Sequence, residues 1–132
     1  MCRYRQRAQS LVEFSLTVGL LMLVAVSVAQ VAIFLHYRSS LDLSTREGAY
    51  EGSLVGHGPA DAKLTTQELW AKLEPGGGPI QVSVTVEGRL IVVDAKGYAP
   101  ALMPLPIAPF THLTVSSHSV HTLELFEPGS LP

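Results

Sequence analysis

A long apolar run near the N-terminus constrains this sequence more than any other feature. Residues 10–35 carry one charged side chain, Glu13, and residues 14–35 carry none. At 1.5 Å per residue these residues form about 33 Å of helix, and the hydrocarbon core of a bilayer is about 30 Å thick. A soluble core helix would show a polar stripe, whereas only scattered Ser, Thr and Gln30 interrupt this run. The sequence therefore predicts a membrane-spanning helix.

A cleaved secretory signal is the alternative reading of the same run. A signal-peptide core is shorter, and it is followed by a cleavage site with small residues in an A-x-A-like pattern. No such site follows residue 35. The spanning helix is therefore the better prediction.

The charges on either side of the run predict its orientation. Arg3, Arg5 and Arg7 precede it without an acidic neighbour. Because positive residues stay on the cytoplasmic side of a membrane, we expect a single-pass protein of the inner (cytoplasmic) membrane with a cytoplasmic N-terminus and an extracytoplasmic C-terminal domain. From residue 51 onward there are eight acidic and four basic side chains, which fits an exported domain. The lipid bilayer is the expected partner, and nucleic acid is not, because no basic patch is present.

Breaks in the sequence divide the chain into three predicted parts. Residues 1–8 are a short basic segment, which the family resemblance given below makes a leader peptide. Residues 9–56 form a transmembrane and stalk helix, since no proline occurs before Pro59. Residues 57–132 remain for one small exported α+β head domain. Cys2 is the only cysteine, so an intrachain disulfide is excluded.

A short helix is predicted near the start of the head domain. Thr65 and Glu68 have the spacing of a capping box, so we expect the helix to start there. It is expected to end before Pro75. Trp70, on its apolar face, is expected to anchor the core rather than to form a platform for a ligand.

An antiparallel sheet is predicted in the second half of the head domain. Residues 80–95 alternate between apolar and polar side chains, with a tight turn at Glu87 and Gly88, and residues 111–126 are expected to return beside this hairpin. The proline-rich stretch after Gly97 is predicted to leave the sheet. Its apolar side chains indicate an interface with a partner or with the membrane, or else a cap over the domain's own core. The candidate interface residues are Leu102, Met103, Leu105 and Ile107.

Three glycines recur every four residues near the end of the predicted stalk. Gly48, Gly52 and Gly56 would place a strip of bare backbone on one side of a helix. Such a strip permits close packing against the domain's own sheet or against a neighbouring helix. The alternative is a frayed helix end, because each glycine costs about 1 kcal/mol relative to alanine in a helix interior. We expect close packing.

No arrangement of residues predicts catalysis, a cofactor or a metal ion. His112, His118 and His121 are close in sequence, but on a strand His121 points away from the face that the other two share. The serines of residues 116–119 lack the context of a nucleophile elbow, and the sequence has no phosphate-binding glycine loop. We therefore expect no enzyme activity.

Two blocks of the predicted helix share the pattern of a known family. In the first, a short basic leader is followed by a small residue, four further residues and a glutamate with an aromatic neighbour. Ala8 holds the small position, which is usually glycine, and Glu13 with Phe14 closes the pattern. The second block, residues 41–49, is similar to the Ala-Ala-Arg-Glu-Gly-Ala pattern typical of the family's helix end. Together they resemble the TadE-like pseudopilins of the tight-adherence (Tad, or Flp) pilus system, a branch of the type IV filament proteins.

The resemblance implies a fold, a processing step and a set of partners. The implied fold is α+β and type IV pilin-like, with a long N-terminal transmembrane helix and a small antiparallel β-sheet head. A prepilin peptidase would cleave after Ala8, which leaves Gln9 as the mature N-terminus and Glu13 as its fifth residue. In such filaments that glutamate is thought to pair with the N-terminal amine of a neighbouring subunit, which offsets the cost of a carboxylate in lipid. The implied partners are other pilin or pseudopilin subunits, the prepilin peptidase and the pilus assembly platform proteins.

The expected function is that of a minor pilin-like or pseudopilin-like subunit. Such a subunit takes part in the assembly or initiation of a Tad-type pilus or secretion filament, with Glu13 and Phe14 as assembly residues and with the head outside the cell in a finished pilus. The alternative is a single-pass, membrane-tethered binding or adhesion module that stays outside any filament. Processing between Ala8 and Gln9 separates the two, because a permanent anchor has no need to lose its basic leader.

Overall fold

Helix α1, Cys2–Ser53, is the longest element of the computed structural model, which describes residues 2–101 and 112–124. The predicted interface residues of the proline-rich loop lie outside the described residues. The predicted fold class, α+β with a long N-terminal helix and a small antiparallel sheet, is confirmed. The remaining elements are α2 (Pro59–Leu73), β1 (Gln81–Glu87), β2 (Leu90–Pro100) and β3 (His112–Thr122).

The chain forms two compact units, Met1–Ala32 and Ile33–Pro132. Helix α1 contributes to both of them. Its first part is the helix of the first unit, and residues 33–53 belong to the second unit, which we call the head unit. The folded head therefore includes about six turns of the long helix.

The three strands form one antiparallel sheet in the order β1-β2-β3. Glu87 pairs with Leu90, so the predicted hairpin between β1 and β2 is confirmed, and its two-residue loop is Gly88 and Arg89. Gly88 has φ +63°, which a glycine adopts without strain at the first position of a type II′ turn. The loop lies one residue later than predicted. The predicted return of the last extended run is also confirmed, because β3 pairs with β2 along its whole length.

Strand β2 is longer than the sequence predicts. The stretch after Gly97 was expected to leave the sheet, but Tyr98 and Ala99 still pair with β3, and Pro100 pairs with His112. Proline is tolerated at a strand end because it ends the ladder there. Alternation continues to that point, since Ala95, Gly97 and Ala99 are buried while their neighbours are more exposed. The prediction that the sheet ends before Tyr98 is therefore wrong.

Helix α2 begins six residues earlier than predicted. Its N-cap is Gly58, whose backbone N–H donates to the Asp61 carboxylate at 2.9 Å. Pro59 occupies the first helical position, where its fixed φ suits a helix and its missing N–H costs nothing. Thr65 lies inside the helix and Thr66 is buried, so the predicted capping box at Thr65 and Glu68 is wrong. Pro59 and the early Asp61 are the stronger start signals.

Helices α1 and α2 contribute side chains to the sheet's buried face in two clusters. In one, Trp70 packs with Leu41 and with residues of β2 and β3, and its indole N–H donates to the Gly78 carbonyl at 3.1 Å. The predicted role of Trp70 as a core anchor is confirmed, since 3% of its surface is exposed. In the other cluster, Ala49 of α1 and Ala62 of α2 pack with residues of β2. The buried members on the strands are Ala95, Ala99 and Val115 in the first cluster and Ile91 and Val93 in the second.

Hydroxyl groups join α1 to β3. The Thr45 and Ser117 hydroxyl oxygens lie 2.7 Å apart, and Ser117 also donates to the Asp42 carboxylate at 3.1 Å. Thr45 and its neighbour Ser44 are fully buried, and Ser44 donates to the Ser40 carbonyl one turn earlier. Because buried hydroxyls are costly without partners, these contacts fix the register between the helix and the strand.

Two glycines of α1 lie where α2 comes closest. A Cβ at Gly48 would overlap the Thr66 hydroxyl and lie 2.7 Å from the Ala62 carbonyl oxygen. A Cβ at Gly52 would lie 2.6 Å from the Ala62 Cβ and 2.7 Å from a methyl group of Ile91. Real Cβ atoms do not approach other atoms so closely, so the helices reach this separation only because both positions lack a side chain.

Gly56 does not take part in this contact. Helix α1 ends at Ser53, whose carbonyl accepts the backbone N–H of Glu124 at 2.9 Å. Gly56 follows in the connection to α2 with φ +88°, and nothing lies within 4 Å of the position of a Cβ. The positive φ explains why this residue is glycine, whereas the prediction placed it on the packed face of the helix.

The carboxylate of Glu74 ties the end of α2 to α1. It accepts the Ser40 hydroxyl at 2.7 Å, lies 2.9 Å from the His36 Nε2, and forms a hydrogen bond with the Tyr37 hydroxyl. Its side chain is 8% exposed. Glu74 also caps α2, because its backbone N–H donates to the Trp70 carbonyl at 2.8 Å. A nearly buried carboxylate with several donors is stabilising only while those donors stay in place.

Substitution of Gly48 by alanine should destabilise the head unit. The added methyl meets a backbone carbonyl that cannot move away cheaply, so we expect a loss of about 1–3 kcal/mol in unfolding free energy. The fluorescence of Trp70, the only tryptophan, reports unfolding of the full chain in detergent micelles. Gly76→Ala is the control, because open space surrounds Gly76. Equal midpoints for the two variants would contradict the close approach of α1 and α2.

Glu74→Ala should also destabilise the head unit, by about 1–3 kcal/mol, because it leaves the buried Ser40 hydroxyl without its acceptor. The same Trp70 measurement applies. Glu68→Ala removes an exposed carboxylate from the same helix and should change stability by no more than about 0.5 kcal/mol. A Glu74→Ala variant as stable as Glu68→Ala would show that the carboxylate does not hold the helices together.

Candidate assembly site on helix α1

The first unit is one helix, and most of its described side chains, those of residues 9–32, are apolar and exposed. Residues on all sides of it are exposed, including Phe14 at 69%, Leu16 at 69% and Met22 at 66%. Among the described residues, one helix is long and apolar enough to cross a membrane, and it is this one. A circumference of exposed leucine, valine and phenylalanine requires lipid or other helices around it. This part of α1 is therefore a surface for the membrane or for neighbouring apolar helices.

Glu13 places one carboxylate at the start of this apolar surface. Its Oε1 lies 3.4 Å from the Gln9 side-chain nitrogen, one turn earlier, which makes a long and weak hydrogen bond. The Thr17 hydroxyl donates to the Glu13 backbone carbonyl at 2.8 Å and not to the carboxylate. Among the residues whose side chains are described, no ion pair includes Glu13. The described contacts thus leave its charge with a single weak, neutral donor.

Polar side chains further along the helix are satisfied within it. The Ser27 hydroxyl donates to the Leu23 carbonyl at 2.8 Å, as serine and threonine do in membrane helices. Such bonds let a hydroxyl sit in an apolar environment at little cost. The Glu13 carboxylate cannot be satisfied in this way, because it needs donors and the backbone N–H groups inside a helix already donate to carbonyls one turn earlier.

The predicted site residues fall into separate parts of the structure. Ala8, Gln9, Glu13 and Phe14 lie on consecutive turns of α1 in the first unit. The glycines at residues 48 and 52 belong to the head unit and pack inside it. The loop residues predicted as an interface lie outside the described residues. The residues predicted for processing and for assembly therefore lie on one helix.

Two histidines of the last strand, His118 and His121, contact other residues of the head unit. His118 Nδ1 lies 2.7 Å from the Asp94 carboxylate, its partner on β2. His121 packs edge-on against Tyr50, with ring centroids 5.9 Å apart. Among the described side chains, those of residues 9–101 and 113–124, no group of three or more metal-ligating residues is arranged to hold an ion.

Sequence reasoning missed two features of the head unit. Glu74 lies at the predicted end of α2, and its partners on α1 lie more than 30 residues away in sequence. Arg38 and Lys96 also share one groove, although they lie on α1 and on β2. Residues close together in the sequence indicate neither the contacts of Glu74 nor the shared groove of Arg38 and Lys96. The position of His36, Tyr37 and Ser40 on one face of a helix, directly after the apolar run, is the only hint that the sequence offers.

The family model of TadE-like proteins matches residues 8–49. About a third of the chain is therefore similar to TadE-like proteins. The match begins at Ala8, the predicted small residue, and ends at Ala49, a fully buried residue of the head unit. It therefore covers the apolar helix together with most of the face that α1 buries. No curated protein and no solved structure matches the chain.

The match confirms the resemblance to TadE-like proteins over residues 8–49, the stretch that contains both predicted blocks. The structure also explains the pattern of the second block, residues 41–49. Leu41, Thr45, Gly48 and Ala49 are buried, whereas Asp42 and Arg46 form an ion pair at 2.8 Å on the more exposed side.

Proposed function

We propose that the chain is a minor pilin-like or pseudopilin-like subunit that takes part in the assembly or initiation of a Tad-type pilus or secretion filament. The observation that carries the proposal is the TadE-like match on a helix whose apolar circumference is exposed. The exposed apolar surface of such a subunit would first contact lipid in the bilayer and would then pack against other subunits in the filament. The three-stranded head would remain outside the membrane and contact other subunits.

The proposed orientation places the N-terminus in the cytoplasm and the head on the extracytoplasmic side. Arg3, Arg5 and Arg7 precede the apolar run, and the positive-inside rule keeps them in the cytoplasm. A prepilin peptidase would then remove the basic leader after Ala8. The remaining partners in this proposal are other pilin or pseudopilin subunits and the pilus assembly platform.

Glu13 would guide the entry of the subunit into the filament. Its carboxylate has one weak neutral donor among the described contacts, so a positive charge from outside the chain would lower its free energy in a low dielectric. Cleavage after Ala8 creates such a charge, because it turns Gln9 into a free amine on each subunit. A neighbour whose amine meets Glu13 is then held at one axial register, and Phe14 lies beside that contact.

The first experiment is the intact mass of the full chain recovered from its native membrane. We expect the mass of residues 9–132, with Gln9 as the N-terminus. Ala8→Gly, which restores the usual small residue, should also be processed, whereas Ala8→Leu should retain the leader because the peptidase requires a small side chain there. A wild-type chain that keeps residues 1–8 would favour the alternative, a static membrane-tethered binding or adhesion module.

The second experiment separates charge from hydrogen bonding at Glu13. Glu13→Ala and Glu13→Gln should both leave membrane insertion intact, and both should reduce the recovery of the chain in sheared filaments or in crosslinked subunit complexes, because neither keeps the negative charge. The matched control Glu68→Ala removes an exposed carboxylate from α2 and should assemble normally. Normal assembly of both Glu13 variants would refute the pairing with a neighbouring amine.

A further inference from the structure

A groove of about 730 Å³ lies in the head unit between α1 and the strands β2 and β3. Its helix side runs from Leu35 to Arg46, and its sheet side is formed by residues 94–96 and 116–118. Most of the lining residues are serines or carry a charge, but the lining also exposes apolar surface. The groove can therefore hold a ligand with both polar and apolar parts.

The charges in the groove are unevenly matched. The two carboxylates are already engaged, since Asp42 lies 2.8 Å from Arg46 and Asp94 lies 2.7 Å from His118. Arg38 and Lys96 also line the groove, and both side chains are exposed. Within the described side chains, no ion pair includes either of them. Two cations without a described anionic partner thus open into one cavity, which favours an anionic ligand.

The position of the groove along α1 indicates where that anion comes from. Leu35, which lines the groove, is also the last residue of the charge-free segment 14–35. Arg38 follows three residues later, about 4.5 Å further along the helix axis. The polar headgroup layer on each side of the hydrocarbon core is about 5–8 Å deep. A helix that spans the bilayer with residues 14–35 therefore presents Arg38 at headgroup depth.

We propose that this groove binds the phosphate of an anionic phospholipid in the leaflet next to the head. Arg38 supplies a planar guanidinium and Lys96 an ammonium group, and the hydroxyls of Ser39 and Ser116 are further donors in the lining. The site rests on the membrane anchoring contained in the proposed function, but not on filament assembly. The bound lipid would fix the depth of the head at the membrane surface.

The test is native mass spectrometry of the full chain released from detergent micelles. Phosphatidylglycerol and phosphatidylcholine with identical acyl chains are titrated separately, and the bound lipid is counted. We expect the wild-type chain to prefer phosphatidylglycerol. Arg38→Gln with Lys96→Gln should reduce that preference by about 25-fold, at about fivefold per cation. The control Lys63→Gln with Lys72→Gln removes the same charge from exposed positions of α2 and should keep the preference.

The outcomes separate the sources of the anion and the two proposals. Displacement of the lipid by millimolar inorganic phosphate would identify a free-anion site and overturn the lipid assignment. A groove variant that keeps its phosphatidylglycerol but fails to assemble would identify a protein interface and overturn it too. Wild-type chain that inserts into vesicles without preferring phosphatidylglycerol overturns this inference alone. A chain that does not insert overturns both this inference and the proposed membrane-anchored function.

Discussion

The close approach of α1 and α2 is the contact on which the rest of the head unit depends. Gly48 and Gly52 let the backbone and small side chains of α2 reach the surface of α1, so that Ala62 and Thr66 become buried between the helices and the sheet. Glu74 holds the other end of α2 through His36, Tyr37 and Ser40. With α2 fixed at both ends, Trp70 reaches the core between them. A larger residue at either glycine would separate the layers that these contacts join.

A second constraint acts on the same helix further towards its N-terminus. Residues 33–53 bury one face against the chain's own α2 and sheet, whereas residues 9–32 bury almost nothing. The first part of the helix therefore needs apolar surroundings from lipid or from other helices. Its last part packs against its own α2 and sheet. The sequence follows this change, because leucine and valine dominate before residue 35 and small or hydroxyl residues dominate the buried face after it. The TadE-like match covers both parts.

Local patterns predicted the fold class, the hairpin and the core role of Trp70, because each has a signal within a few residues. The start of α2 was mispredicted, since a capping-box spacing at Thr65 outweighed Pro59 and Asp61, which set the actual start. Strand β2 is longer than predicted, because the proline-rich stretch after Gly97 predicts the end of the sheet. Pairing with β3 nevertheless extends the strand to Pro100. Glu74 and the Arg38–Lys96 groove depend on tertiary contacts between distant segments, for which one sequence carries no periodic signal.

The carboxylates of Glu74 and Glu13 differ in the hydrogen-bond donors that the chain itself provides. Glu74 is nearly buried and collects its donors from α1 within the same chain. Glu13 is exposed on an apolar helix and has one weak donor at 3.4 Å among its described contacts. The chain's own folding supplies donors for the first carboxylate. Under the proposed function, Glu13 would lie in a low dielectric, where the described side chains supply no cation. The amine of a processed Gln9 would then be a cation that each identical neighbour brings to the same depth of the membrane.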